Sequence, residues 1–202
     1  MPRSRLPLII LSLSMLFALL FAFPGAAPAA DVAAGKALAA GCAGCHGEDG
    51  VSQTALTPSL AGEPDLFTQW QLVFFRGGSR KSEVMGLVAE ALSNEEVRNL
   101  GAYYAALPPP KPEPAAASDT LAQTGAKLAV AHRCRACHGD DFAGAGPAAR
   151  LAGQREDVLL KALRDFKSGA RVAPGVASMA DVVYDLSDAD MQALAHIMST
   201  LR

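Results

Sequence analysis

Cys42-Ala43-Gly44-Cys45-His46-Gly47 returns 92 residues later as Cys134-Arg135-Ala136-Cys137-His138-Gly139. On a helical turn, two cysteines three apart and the next histidine face the same way. The thiols can form thioethers to the two vinyl groups of one haem, and the imidazole then stands over the iron as proximal ligand. C-x-x-C-H is the c-type haem attachment signature. Other readings of paired cysteines fit less well. A zinc ribbon needs its pairs ~15–20 residues apart. A thioredoxin-like redox pair needs a strand–helix setting that this chain does not offer. Two structural disulfides would not require His46 and His138.

The repeat extends beyond the motif. Leu60-Ala61-Gly62 matches Leu151-Ala152-Gly153, Gly78 matches Gly169, and Arg80 matches Arg171. Met85 stands seven residues before Leu92-Ser93, and Met179 seven before Leu186-Ser187. A period this long marks a duplicated domain, since solenoid units are only ~20–50 residues. Between the copies lie Pro108, Pro109, Pro110, Pro112 and Pro114. So dense a proline run excludes helix and central strand, and an extended, semi-rigid tether is expected. The domains are expected at 31–107 and 120–202, joined by a Pro-rich linker at 108–119.

The fold class expected is all-α. Val32–Ala40 and Gly125–Ala131 are Ala-rich segments leading into the cysteine motifs. Asp65–Phe75 and Glu156–Phe166 are amphipathic. Ser93 and Ser187, each followed three residues later by an acid, mark helix starts. Val97, Leu100, Tyr104 and Leu107, and likewise Met191, Leu194, Met198 and Leu201, recur at helical spacing. No alternating strand is evident. Domains of this size have little core of their own, so a large apolar group should fill each centre.

Composition narrows the class. The chain has 202 residues, half of them apolar and 19% charged, with net charge −2. There is no basic excess for nucleic acid, no cysteine density for a disulfide scaffold, and no internal run of the ~20 apolar residues that a membrane span needs. At the N-terminus, Arg3 and Arg5 precede an apolar run over 6–23, then Pro24-Gly25 and small residues to Ala30. This is an export signal over 1–30, with cleavage after Ala29 or Ala30. An uncleaved anchor is the alternative, and the Pro-Gly break favours cleavage. The mature part should lie in the periplasm, where free thiols would be oxidised. Peripheral membrane association is compatible with this.

The sixth iron ligand follows by elimination. In the first half the only histidine is His46, and the only methionine after the signal is Met85. His/Met ligation by Met85 is the direct inference. The second half offers Met179, Met191, Met198, His132 and His196. Met179 aligns with Met85, whereas Met191 and Met198 align with the core positions Val97 and Tyr104. His196 aligns with Ala102 and reads as a surface residue, and His132 is too close to Cys134 to cross the haem. The metal site is thus read as His46, Met85, His138 and Met179, with Cys42, Cys45, Cys134 and Cys137 as the attachment points of two covalently bound haem c groups. Such an iron has no open position, so outer-sphere electron transfer is favoured over catalysis. A ligating histidine donates its other N–H to something, and the carbonyls of Pro58 and Pro147 are candidates. Arg80 and Arg171 are candidates to neutralise haem propionates. Trp70, Tyr103 and Tyr104 read as aromatic packing.

Both halves resemble class I c-type cytochromes, and the tandem resembles the dihaem cytochrome c4 family. The likeness rests on C-x-x-C-H, Leu-Ala-Gly, Gly…Arg, Met, Leu-Ser with an acid, and a Tyr-bearing last helix in the first half. It covers essentially all of 31–202. It implies two small helical domains about an approximate two-fold axis, and a periplasmic electron carrier. Its donor would be a quinol oxidoreductase or a dehydrogenase, and its acceptor a terminal oxidase or reductase. Similar chains serve as cytochrome subunits of periplasmic dehydrogenases, flavocytochrome sulfide dehydrogenase among them, which is the alternative function. The second half departs by lacking the Tyr and by a longer stretch between Pro147 and Leu151 than between Pro58 and Leu60. An enzyme such as a dihaem peroxidase would need a displaceable ligand and a longer chain.

Charge is uneven. Residues 31–107 hold five basic and nine acidic residues, a net −4, and residues 120–202 hold ten and nine, a net +1. Such polarity suits different partners for the two domains, met in transient encounters steered by charge.

Overall fold

The structure is a computed structural model that describes residues 29–112, 116, 119–172 and 177–202. All but the last two residues of the export-signal reading, and part of the linker, lie outside them. The first half comprises α1 (Val32–Ala39), α2 (Ala43–His46), α3 (Asp65–Arg76), α4 (Glu83–Glu90) and α5 (Asn94–Ala106). The second repeats this order as α6 (Thr120–Ala131), α7 (Arg135–His138), α8 (Glu156–Ser168), α9 (Ala177–Val183) and α10 (Asp188–Thr200). Among the described residues there is no strand, only isolated bridges such as Arg80 to Arg171.

Local sequence sets the helix starts. The Asp31 carboxylate accepts from the Ala33 and Ala34 N–H groups ahead of α1, and Asp119 accepts from Ala122 ahead of α6. Ser93 with Glu96, and Ser187 with Asp190, form reciprocal capping boxes, as the sequence predicts. Two features differ from expectation. α6 begins at Thr120, five residues before Gly125, because Asp119 supplies the cap. Helices α4 and α9, which carry Met85 and Met179, escaped the periodicity reading because each is only two turns long.

Each half closes its own core. Leu72, Ala89, Val97, Leu100, Tyr103 and Tyr104 form the first. Phe142, Leu159, Phe166, Val183, Leu186, Met191, Leu194 and Met198 form the second. Met191 and Met198 are buried core residues, as the repeat implies. In each half the first helix crosses the last at a glycine. A Cβ on Gly35 would lie 2.1 Å from the Asn99 carbonyl oxygen, and one on Gly125 would lie 2.1 Å from that of Ala193. Only hydrogen allows backbones to approach so closely.

The halves pack against each other through equivalent segments. Gly62 and Gly153, with φ of +71° and +73°, donate their N–H groups to the Tyr104 and Met198 carbonyls. The proline run passes over both turns, with Pro109 against Gly62 and Pro110 and Pro112 against Gly153. Pro109, Pro110 and Pro112 are therefore seated on the junction. Gln154 binds Ser59 of the first half through both its amide atoms, each at 2.9 Å. Glu63 accepts from the Arg150 N–H at 3.0 Å, and Asp157 from the Leu56 N–H at 2.8 Å.

His196 is half-buried and bridges two carboxylates. Nε2 lies 2.8 Å from Asp119 and Nδ1 2.9 Å from Glu156. Those two hydrogen bonds, the one to Asp119 foremost, raise its pKa above the ordinary imidazole value. It therefore ties the cap of α6 to the start of α8, a role the sequence did not reveal.

Two outcomes are expected. Gly125→Ala should lower stability by about 1–3 kcal/mol, the cost of overpacking against backbone, read as a lower thermal midpoint. The protonated His196 clamp stabilises the fold below the unfolded imidazole pKa, and its contribution disappears as pH rises through the raised folded value. The thermal midpoint should fall over that window in the wild type, and His196→Ala should remove that part of the pH dependence.

Candidate haem sites

Each C-x-x-C-H segment forms a single helical turn. The His46 N–H bonds to the Cys42 carbonyl at 3.0 Å, and the His138 N–H to that of Cys134 at 3.1 Å. The turn gathers both cysteines and the histidine, as the spacing predicts. None of the four cysteines is paired in a disulfide; Cys45 and Cys137 are exposed, whereas Cys42 and Cys134 are half-buried. Burial pushes the Cys134 thiol pKa up.

His46 and His138 are each 8% exposed. His46 Nδ1–H donates to the Pro58 carbonyl at 2.8 Å. His138 Nδ1–H donates to the Ala149 carbonyl, also at 2.8 Å. A carbonyl has only lone pairs to offer, so the proton sits on Nδ1 and the Nε2 lone pair is left free. Burial lowers both imidazole pKa values, partly offset by these hydrogen bonds. Both rings are thus neutral and oriented at neutral pH, the state that a metal requires.

Pro58 fulfils its expected part and Pro147 does not. Pro147 lies within a tight turn whose ends, Ala145 and Ala148, exchange backbone hydrogen bonds. Ala149 stands two residues before Leu151, as Pro58 stands two before Leu60. The acceptor is a backbone oxygen, so register from Leu-Ala-Gly, and not the proline side chain, identifies it.

Met85 and Cys42 pack against the first core, and Met179 and Cys134 against the second. The repeat thus places one cysteine and one methionine on each core. Tyr103 and Tyr104 pack as a tilted pair with ring centroids 5.2 Å apart, and Met198 fills the place of Tyr104 in the second half.

Arg80 and Arg171 meet across the domain junction. Each guanidinium donates to the same Gln71 Oε1, at 2.7 and 2.9 Å. Each also stacks on its own phenylalanine, Phe75 or Phe166, at 4.4 and 4.6 Å. Burial lowers their pKa values, to about 9 for Arg80 and about 10 for Arg171. Two half-buried cations that share one neutral acceptor are an arrangement that suits added anions. Haem propionates are such anions. Free Nε2 lone pairs, paired thiols and these arginines together fit two haem c groups. Gln71, which brings the arginines together, was not singled out from sequence; nothing in its local pattern marks it.

The Cytochrome c family model matches residues 32–107 and 122–202. The chain is 34% identical over 197 residues to a thiosulfate dehydrogenase electron acceptor from Thiomonas intermedia, spanning 92% of this chain and 88% of that one. It is 30% identical over 190 residues to cytochrome c4 from Azotobacter vinelandii, spanning 86% and 90%. The solved structure of reduced recombinant cytochrome c4 from Pseudomonas stutzeri superposes with a TM-score of 0.79 at 28% identity, covering 86% of this chain and all of the other. The chain belongs to the cytochrome c family, as a tandem member of the cytochrome c4 type that carries two covalently bound haem c groups and transfers electrons without being an enzyme.

Proposed function

We propose that the chain is an exported periplasmic carrier whose halves, 31–107 and 120–202, each hold one haem on either side of the linker 108–119. Cys42 and Cys45, and Cys134 and Cys137, form the thioethers. His46 and Met85 would hold the iron of one haem, and His138 and Met179 that of the other. The observation that carries this reading is the matched pair of buried imidazoles, each fixed through Nδ1–H on a carbonyl in the same register of the repeat. Each haem, when bound, supplies an iron that accepts and returns one electron.

The protein's residues set the conditions for that exchange. The histidines keep Nε2 unprotonated through the carbonyls behind them. The methionine thioethers favour the reduced state and raise the potential relative to a second imidazole. With an imidazole and a thioether both holding each iron, electron exchange rather than substrate binding would be favoured. Arg80 and Arg171 offset the propionate charges at the junction.

For partners, a dehydrogenase or quinol oxidoreductase would donate electrons and an oxidase or reductase would accept them, which places the chain in a respiratory pathway. A second reading, a cytochrome fixed to one dehydrogenase, draws on the likeness to the thiosulfate dehydrogenase electron acceptor. The −4 of the first half against the +1 of the second supports separate docking ends.

Ligation is checked by near-infrared absorption of the oxidised protein. Met85→Ala and Met179→Ala should each remove about half of the methionine–iron charge-transfer intensity; full intensity in either variant excludes that ligand. For the partners, electron uptake from a purified thiosulfate dehydrogenase should slow as ionic strength rises, because exposed charges more than a Debye length apart, ~8 Å at 0.15 M, are screened. A rate independent of salt would exclude charge steering. Stable co-purification with the dehydrogenase would favour the fixed-subunit reading.

A further inference from the structure

The domain junction sets one acid beside one amide. Glu63 and Gln154 occupy the same place in the repeat, each just after Leu-Ala-Gly. Both are buried at the junction, 4% and 7% exposed. Gln154 clamps the Ser59 peptide of the other half: Oε1 accepts from its N–H and Nε2 donates to its carbonyl, both at 2.9 Å. Glu63 faces Arg150, the counterpart of Ser59, and makes the first half of the same clamp, Oε2 accepting from the Arg150 N–H at 3.0 Å. The second half of the clamp needs a donor. An amide has one, an ionised carboxylate has none, and a carboxylic acid has one.

The surroundings are poised between the two forms. The Gln154 Nε2 group stands 3.4 Å from Glu63 Oε1. The charged groups that act on Glu63 are Arg150 and Arg171 from the second half and Arg80 from the first. The nearby acids are engaged elsewhere. Asp65 accepts from Gln69, Asp157 pairs with Arg155, and Asp165 acts on the two arginines. Burial works against the ionised form more strongly than these partners favour it, and lifts the Glu63 pKa to about 7.

We propose that Glu63 is a proton-binding site between the two haem domains, whose occupancy is coupled to the charge of the haem centres. This rests on the dihaem reading above. One electron arrives from the redox partner and one proton from solvent binds a Glu63 carboxylate oxygen, completing the clamp on Arg150; on oxidation both leave. The coupling is electrostatic. Arg80 and Arg171, which act on Glu63, are the groups that suit the propionates. Added negative charge in a low-dielectric junction raises the proton affinity of Glu63. By linkage, a bound proton raises the affinity for the electron by the same factor.

The test compares the holoprotein with Glu63→Gln, whose amide reproduces the Gln154 clamp and stays neutral. Midpoint potentials of both haems are measured from about pH 5 to about pH 9, spanning the Glu63 window. The wild-type potential of at least one haem should fall as pH rises through neutrality. The variant should coincide with the wild type at the acid end, lie above it at the alkaline end, and lack that part of the slope. A second readout needs no variant. Reduced-minus-oxidised infrared spectra near pH 7, with glutamate side chains 13C-labelled at the carboxyl to separate them from propionates, should gain a label-sensitive protonated-carboxyl band on reduction. Parallel titration curves for the two proteins, or the absence of that band, would overturn the proposal. Haem content separates the two ideas: a chain with fewer than two haems refutes the dihaem reading, while two haems with parallel curves refute only the proton site.

Discussion

A buried imidazole with its Nδ1–H fixed on a backbone carbonyl is the constraint on which each half is built. The two hydrogen bonds, His46 to Pro58 and His138 to Ala149, are equal in length. Each sets the tautomer, so that Nε2 can serve a metal, and each holds the ring against rotation. The loop carrying the acceptor must therefore return from the cysteine turn at a fixed distance before Leu-Ala-Gly. The second half covers the stretch from its histidine to that carbonyl in 11 positions against 12 in the first, and folds 145–148 into a tight turn on the way. The intervening loop is free to vary because only its endpoint is constrained.

The duplicated fold brings equivalent residues face to face, and small asymmetries there acquire chemical meaning. Arg80 meets Arg171, Gly62 and Gly153 share the proline run, and Gln154 lies opposite Glu63. A perfect repeat would have two arginines, two amides and no titrating group. Replacement of one amide by a carboxyl keeps the shape while adding a charge that responds to the cations around it. The junction thus shares electrostatics between the domains, whose own cores are separate.

Much of this was legible in the sequence because it rests on local chemistry. The cysteine turns, the capping boxes at Ser93 and Ser187, and the burial of Met191 and Met198 each follow from residues a few positions apart or from the repeat. The helices around Met85 and Met179 did not, since two turns carry too little periodicity to stand out. Ala149 was missed for a different reason. A carbonyl acceptor has no side-chain signature, and the conspicuous proline nearby drew the assignment to itself. His196, Gln71 and Glu63 take their roles from partners 77, 100 and 87 residues away, which no local pattern encodes.

The central claim is that each half closes on a haem attached through its own cysteine pair. Intact-mass analysis of the exported protein, followed by peptide mapping, tests it most directly. The account predicts one haem on the peptide holding Cys42 and Cys45 and one on that holding Cys134 and Cys137. Either pair recovered as bare thiols or as a disulfide in the mature protein would contradict it.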